Sequence, residues 1–396
     1  MKLKNLVFTA IYILITCIFG INSESQELQH ETGAINIEVP VRVFKGDTFV
    51  DDRTIDDFEI YEDGVLQKIE AIYLIKKTQI QQKQERKIFQ PQTNRLFVLG
   101  FFLTEYLPRT SQAIDYFFDV VFQPNDSFIV LTPIKIYNLK TNSLIHIPPD
   151  SVKDQLKQII RKDTILGNSE YWSVIRDLET AVLENDADGY KNANDRLKQL
   201  RYIDQKRILD FSVFLKQQAG QKTIFFFYQQ ESVPYANMSD GTQASRPVMA
   251  ELMGILPGIE MGFQDSFYRD DIFNSDLIKQ AYSDSSISFH FMYITKPLEA
   301  RLDVTRMQRT SSLRFEERSN DVFDAFLKLS KTTGGISDSS GNIASSFQRA
   351  AEASENYYLL YYSPKNYKAD GKFRNIKVKI KGKNYRVMHR AGYIAD

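Results

Sequence analysis

Thr223–Tyr228 reads TIFFFY, five apolar side chains in a row behind one β-branched hydroxyl. A strand with one wet face alternates apolar and polar residues; a short run without alternation is a strand buried on both faces. Four other runs share the property: Leu96–Phe102 (LFVLGFF), Ser127–Thr132 (SFIVLT), Ile287–Ile294 (ISFHFMYI) and Tyr357–Tyr362 (YYLLYY). Helical spacing fills the intervals. Ile114, Phe117, Phe118 and Val121 recur on one face, as do Val152, Leu156, Ile159 and Ile160 behind the start signal Ser151-x-x-Asp154. Leu197, Leu200, Ile208, Phe211 and Leu215 form a longer stripe before Gly220, and Phe323, Phe326 and Leu327 another before Gly334-Gly335. Strands alternating with helices predict an α/β domain over residues 94–355: a mainly parallel sheet with helices on both faces, taking ligands at the carboxyl ends of its strands.

The flanks read as β structure. Ile35, Ile37, Val39, Val41 and Val43 alternate with polar residues, and Phe58 and Ile60 lead through Glu62-Asp63-Gly64 toward Leu66–Ile75. Ile376, Val378 and Ile380 alternate with Lys377, Lys379 and Lys381, and Gly382-Lys383 turns into Tyr385–His389. An N-terminal β segment of about 45 residues is marginal as an independent core, so the segments 34–78 and 356–396 are expected to meet. Residues 79–93, rich in Gln and Lys, read as a linker.

The chain has 396 residues, with 50 Lys+Arg against 50 Asp+Glu. Zero net charge argues against a nucleic-acid binder, which needs a basic excess, and against a polybasic membrane-surface protein. Lys2 and Lys4 precede an apolar run from Leu6 to Ile21, with small residues at Ser23 and Ser25. This is the pattern of an export signal over residues 1–25. The competing reading, an uncleaved anchor, is short of the roughly 20 residues that span a bilayer. A lipid at Cys17 is a minor alternative. Losing Lys2, Lys4 and Glu24 leaves net charge −1, no Cys and no transmembrane segment, fitting a periplasmic or extracellular protein.

An ordered set of motifs runs from residue 35 to the last. Val39-Pro40-Val41-x-Val43 is followed by Asp56-Asp57-Phe58-Glu59-Ile60-Tyr61-Glu62-Asp63-Gly64, then Gln123-Pro124-Asn125-Asp126 and Gly220-Gln221-Lys222-Thr223, each before a strand. Thr333-Gly334-Gly335, Tyr357-Tyr358-Leu359-Leu360-x-Tyr362, Asp370-Gly371-Lys372-Phe373-Arg374 and Arg390-Ala391-Gly392-Tyr393 close it. The set resembles the acidobacterial-type von Willebrand factor A-related exported proteins. The resemblance implies a Rossmann-like von Willebrand A domain with antiparallel β segments at both ends. It would also bring a Mg²⁺ site: Asp-x-Ser-x-Ser after the first strand, a Thr in a second loop and an Asp after the central strand. Here the first strand ends Gly100-Phe101-Phe102-Leu103-Thr104-Glu105 and the central one Tyr228-Gln229-Gln230-Glu231-Ser232. The Asp positions hold Phe and Gln, so the site is degenerate and neither metal nor cofactor is expected; only Ser169, near Gly167, is offered in the second loop, and Glu105 and Glu231 are the remaining oxygen donors.

No catalytic set emerges. Gly220-Gln221-Lys222-Thr223 precedes its strand, whereas a phosphate-binding loop comes after one. His290 lies inside an apolar run and reads as a core imidazole; His146 and His389 read as surface residues. Asp265, Arg269, Asp270 and Asp271 read as a solvated loop, and the lysines at 377, 379, 381 and 383 as an edge-protecting face. Tyr235–Phe267, with Met249, Met253 and Met261, should overhang the carboxyl edge as either a binding loop or a lid. The leading expectation is an exported, non-catalytic module that binds an unidentified protein through Thr104, Glu105, Gln229, Gln230 and Glu231. The alternatives are a cell-envelope assembly component stacking through its β flanks and a hydrolase with an unrecognised site.

Overall fold

The computed structural model describes residues 35–139, 148–184, 186–200, 204–236, 274–283, 286–295, 313–317 and 319–395. The export-signal reading, Cys17, His146, the Asp265–Asp271 cluster and the Met-rich stretch beyond Ala236 lie outside them.

The strands are β1 Ile37–Lys45, β2 Thr48–Phe49, β3 Phe58–Glu62, β4 Val65–Gln67, β5 Ile69–Lys76, β6 Gln79–Glu85, β7 Arg95–Phe102, β8 Ser127–Leu131 and β9 Ile136–Leu139. They continue with β10 Gln221–Gln229, β11 Ser232–Ala236, β12 Ile287–Ile294, β13 Leu313–Glu317, β14 Ser337–Ser340, β15 Asn356–Tyr362, β16 Phe373–Ile380, β17 Arg386–His389 and β18 Gly392–Ile394. The helices are α1 Arg109–Tyr116, α2 Pro149–Gly167, α3 Ser169–Glu184, α4 Ala187–Leu200, α5 Gln205–Lys216, α6 Ser275–Ala281, α7 Asn320–Thr332 and α8 Ile343–Glu355.

A curled antiparallel half-barrel runs β17-β1-β15-β5-β6, with β2 folded back on β1. Its register sets Val39 opposite Leu360 and Val41 opposite Tyr358 on one side, and Val41 opposite His389 on the other. A four-stranded antiparallel sheet, β18-β16-β3-β4, packs against it. Between them lies one core, in which Val39, Val41, Val43, Tyr358, Leu360 and Tyr362 meet Phe58, Ile60, Ile376 and Val378. Tyr362 and Tyr393 both donate to Glu62 Oε2, at 2.6 and 3.0 Å, which gives that buried carboxylate hydrogen-bond partners.

The third sheet is mixed, β14-β12-β10-β7-β8-β9. β10 pairs in parallel with β7 and β12, β8 and β14 extend the parallel run, and β9 returns antiparallel on β8. One core on it gathers Phe97, Phe101, Phe225, Phe227 and Met292 with Phe117, Leu156 and Phe347; another gathers Val98, Ile224, Phe226 and Phe291 with Ile278 and Phe326.

The expected fold class is therefore corrected. The chain is not a Rossmann-like von Willebrand A domain, one mainly parallel sheet between helices with β segments appended. It is built of antiparallel sheets beside a mixed one, and the largest antiparallel sheet is a curled half-barrel. The physical reason lies in β15. YYLLYY is apolar on both faces like TIFFFY, yet both of its neighbours run antiparallel to it. Continuous apolarity reports burial on two sides, not the direction of the neighbouring strands. Residues 79–93 are corrected as well: Gln79–Glu85, read as linker, is β6, hydrogen-bonded along β5. Its side chains are mostly exposed, so no apolar pattern marks it.

Candidate functional site

β7 and β10 are adjacent and parallel, so their carboxyl ends bring two distant pieces of sequence to one rim. All five residues expected from the sequence lie there. The side-chain amide of Gln229 donates to Glu105 Oε1 at 3.3 Å, and the Glu105 backbone N–H donates to Gln229 Oε1 at 3.3 Å. Gln229 is 4% exposed while Glu105 is only half-buried, so the exchange is shielded on one side. The Thr104 carbonyl accepts from the Trp172 indole at 3.2 Å, and the Leu103 carbonyl from the Asn168 amide at 2.8 Å. The start of α3 is thereby tied to the end of β7.

The other half of the rim belongs to Gln230 and Glu231. The Gln230 N–H donates to the Ile294 carbonyl at 2.9 Å, holding β10 beside β12 past the last paired residues. The Glu231 carboxylate accepts from the Tyr228 hydroxyl, and its backbone N–H donates to Ser319 Oγ at 3.2 Å. Ser319 and Tyr293 share a hydroxyl hydrogen bond of 2.7 Å. β11 begins at the next residue, and its first pairing is Ser232 with Glu317 of β13. A two-stranded ribbon therefore rises from the rim itself.

The sequence reading missed Asn168, Trp172, Tyr228, Tyr293 and Ser319, all tied to this rim. It also missed Asp163, a buried carboxylate of α2 that accepts from Thr132 Oγ1 at 2.7 Å and from the Tyr137 hydroxyl at 2.8 Å. None carries a motif. Tyr228 and Tyr293 close apolar runs and could have been suspected only as polar tips at strand ends.

Phe101 and Phe102 stand where the resemblance would place Asp. Phe101 is 1% exposed and its ring stacks on Phe227 at 5.0 Å, while Phe102 packs on Phe226 at 4.9 Å. Both positions are given over to aromatic packing. Among the described residues, no three His, Cys, Asp or Glu side chains converge where they could hold a metal ion. His290 is fully buried; its Nδ1 accepts from the Ile336 N–H at 3.2 Å, and burial holds its pKa well below the ordinary imidazole value. His389, read as a surface residue, is corrected: it is partly buried at the end of β17, against β16, with both ring nitrogens engaged. The lysines of β16 lie on an exposed face, where Lys379 sits 4.6 Å over the Tyr61 ring. Chemically, the rim offers amide donors, hydroxyls and two carboxylates held by hydrogen bonds, an arrangement suited to recognition.

No helix among the described residues is long and apolar enough to cross a membrane. Comparisons with family models, curated proteins and solved structures return no match.

Proposed function

We propose that the protein is an exported, non-catalytic interaction module that binds another protein through the carboxyl rim of the mixed sheet, without a metal ion or cofactor. The observation that carries this reading is the rim itself. Glu105 and Gln229 interlock across two strands, and Glu231 is fixed immediately before the β11–β13 ribbon. Preorganised polar groups lose little entropy when a partner docks. The basic Lys2 and Lys4 before the apolar run Leu6–Ile21, with Ser23 and Ser25 after it, support the export part of the reading.

The test is affinity capture from the native envelope fraction. Intact protein is compared with the Glu105→Ala/Glu231→Ala variant and with a Lys377→Ala/Lys379→Ala control on the far sheet. A partner retained by the control and lost by the rim variant is expected; equal retention by all three refutes the rim. Calorimetric titration with Mg²⁺, Mn²⁺ and Ca²⁺ checks the metal-free part, which saturable one-to-one binding at micromolar affinity would overturn.

One observation favours a second reading, assembly in the envelope. β6 ends its sheet as an exposed seven-residue edge strand, which another strand could extend. A discrete homo-oligomer dispersed by Gln82→Pro would decide for it.

A further inference from the structure

Glu38, Pro40 and Arg42 of β1 face the amino ends of the mixed sheet, and among them Arg42 has an unusual position. It is 4% exposed; one guanidinium nitrogen, Nη1, donates to the Gly334 carbonyl at 2.9 Å, and the group sits 5.8 Å from the Tyr357 ring centroid. Among the described residues its Nε finds no acceptor. Burial lowers its pKa to about 10, so the group stays charged at neutral pH. A buried charge is costly without a partner of opposite sign.

Arg42 lines a cavity together with Lys77, Arg95, Thr223, Ser288 and Glu355. The charges around it can be paired off. Arg95 grips Asp126 bidentately at 2.9 and 2.5 Å. Lys77 lies 3.6 Å from Glu355. Glu38 is the other carboxylate on that face of β1; its backbone lies four residues along the strand, about 13 Å from that of Arg42, and its two oxygens are taken by Gln221 and Tyr361. Among the described residues Arg42 is left over, with one positive charge uncompensated. The cavity volume is about 20 Å³. One water needs about 10–15 Å³, so a single small particle fits and a phosphate or carboxylate does not.

We propose that this cavity is a binding site for one monatomic anion, chloride under physiological conditions, held by Arg42 Nε and the hydroxyls of Thr223 and Ser288. A water could bridge Arg42 Nε to Glu355 Oε1, which among the described residues has the Lys77 ammonium at 3.6 Å but no hydrogen bond, yet it would leave the charge unbalanced. The anion joins β1 of the half-barrel to β10 and β12 of the mixed sheet, so it stabilises the junction of the two.

Crystals of the full chain grown in bromide provide the direct test. An anomalous peak within hydrogen-bond reach of Arg42 Nε is expected; a water there, or no peak, overturns the proposal. In solution, urea unfolding is compared in bromide and in gluconate at equal ionic strength. Bromide should raise the folding equilibrium constant as 1 + [Br⁻]/Kd, about 100-fold at 100 Kd, and Arg42→Met should abolish that dependence. If Arg42→Met does not fold, Thr223→Val and Ser288→Ala should each weaken the halide Kd. Identical unfolding of the intact protein in the two salts overturns the proposal.

Discussion

Arg95 and Asp126 form a two-point ion pair across the amino ends of β7 and β8, with side chains only 8% and 2% exposed. Arg95 also donates to the Val121 carbonyl at 3.0 Å, and Asp126 accepts from the Gln123 N–H at 2.7 Å. The pair thus fixes the turn that feeds β8.

Removing one partner strands the other charge in a buried site. Asp126→Asn should lower stability by about 3–5 kcal/mol, read as a shift in the urea midpoint. Replacing both partners by apolar residues, Arg95→Met with Asp126→Leu, should recover much of that loss. A single variant that costs under about 1 kcal/mol would show that the pair is not held dry.

The rim can be probed through Gln229. Gln229→Leu removes both hydrogen bonds to Glu105 and leaves its carboxylate facing an apolar side chain. A loss of about 1–3 kcal/mol is expected, again from the urea midpoint. Gln229→Glu instead sets two carboxylates side by side, so its deficit at pH 7 should shrink as the pH falls toward about 4 and one of them takes a proton. A deficit independent of pH would contradict the contact.

His389 donates from Nδ1 to the Arg390 carbonyl at 2.7 Å and accepts at Nε2 from the Val378 N–H at 3.2 Å. Burial lowers its pKa, as it does for His290. The unfolded chain then binds more protons than the folded one below the ordinary value of about 6.5. Stability is complete above that pH and falls on acidification toward the folded values, by at most about 1.4 kcal/mol per pH unit for each imidazole. Urea midpoints between about pH 7.5 and 5 should show the decline, and His389→Gln should flatten it. An unchanged slope in the variant would rule His389 out.

Gly335 is the tightest point of the Thr333-Gly334-Gly335 turn. A Cβ there would meet the Phe289 carbonyl oxygen at 1.9 Å, and backbone cannot step aside cheaply. Gly335→Ala should cost about 3 kcal/mol or more, measured by thermal or urea unfolding. A near-neutral variant would mean that β12 and the turn are not in that contact.

Sequence pattern locates β7, β8, β10 and β12 of the mixed sheet, because Phe225, Phe291 and their neighbours are buried on both faces and leave an unbroken apolar run, and it misses β9 and β14 at the sheet's edges. It misjudges the class because the same run in Tyr357–Tyr362 is buried between antiparallel neighbours. β6 escapes it, since a polar edge strand such as Gln79–Glu85 declares itself only through backbone pairing. The rim residues Thr104, Glu105 and Gln229–Glu231 are found by looking just past the carboxyl end of an apolar run. Trp172, Ser319 and Asp163 are not, because helices of separate origin deliver them. Arg42 reads as the wet side of an alternating strand, and only a second layer of structure turns that side into interior.

The pairing of Ile37 with Tyr362 has a consequence for how the molecule is made. More than three hundred residues separate the two strands, so β1 has no partner in β15 until all of them have been made. The parallel strands can assemble earlier, while β1 waits with an open edge. Completion is therefore a late step with a large loop-closure entropy, slow and exposed to aggregation. A chain arrested before residue 356 would hold the rim of the mixed sheet and lack its clasp, leaving that first strand open to wrong partners.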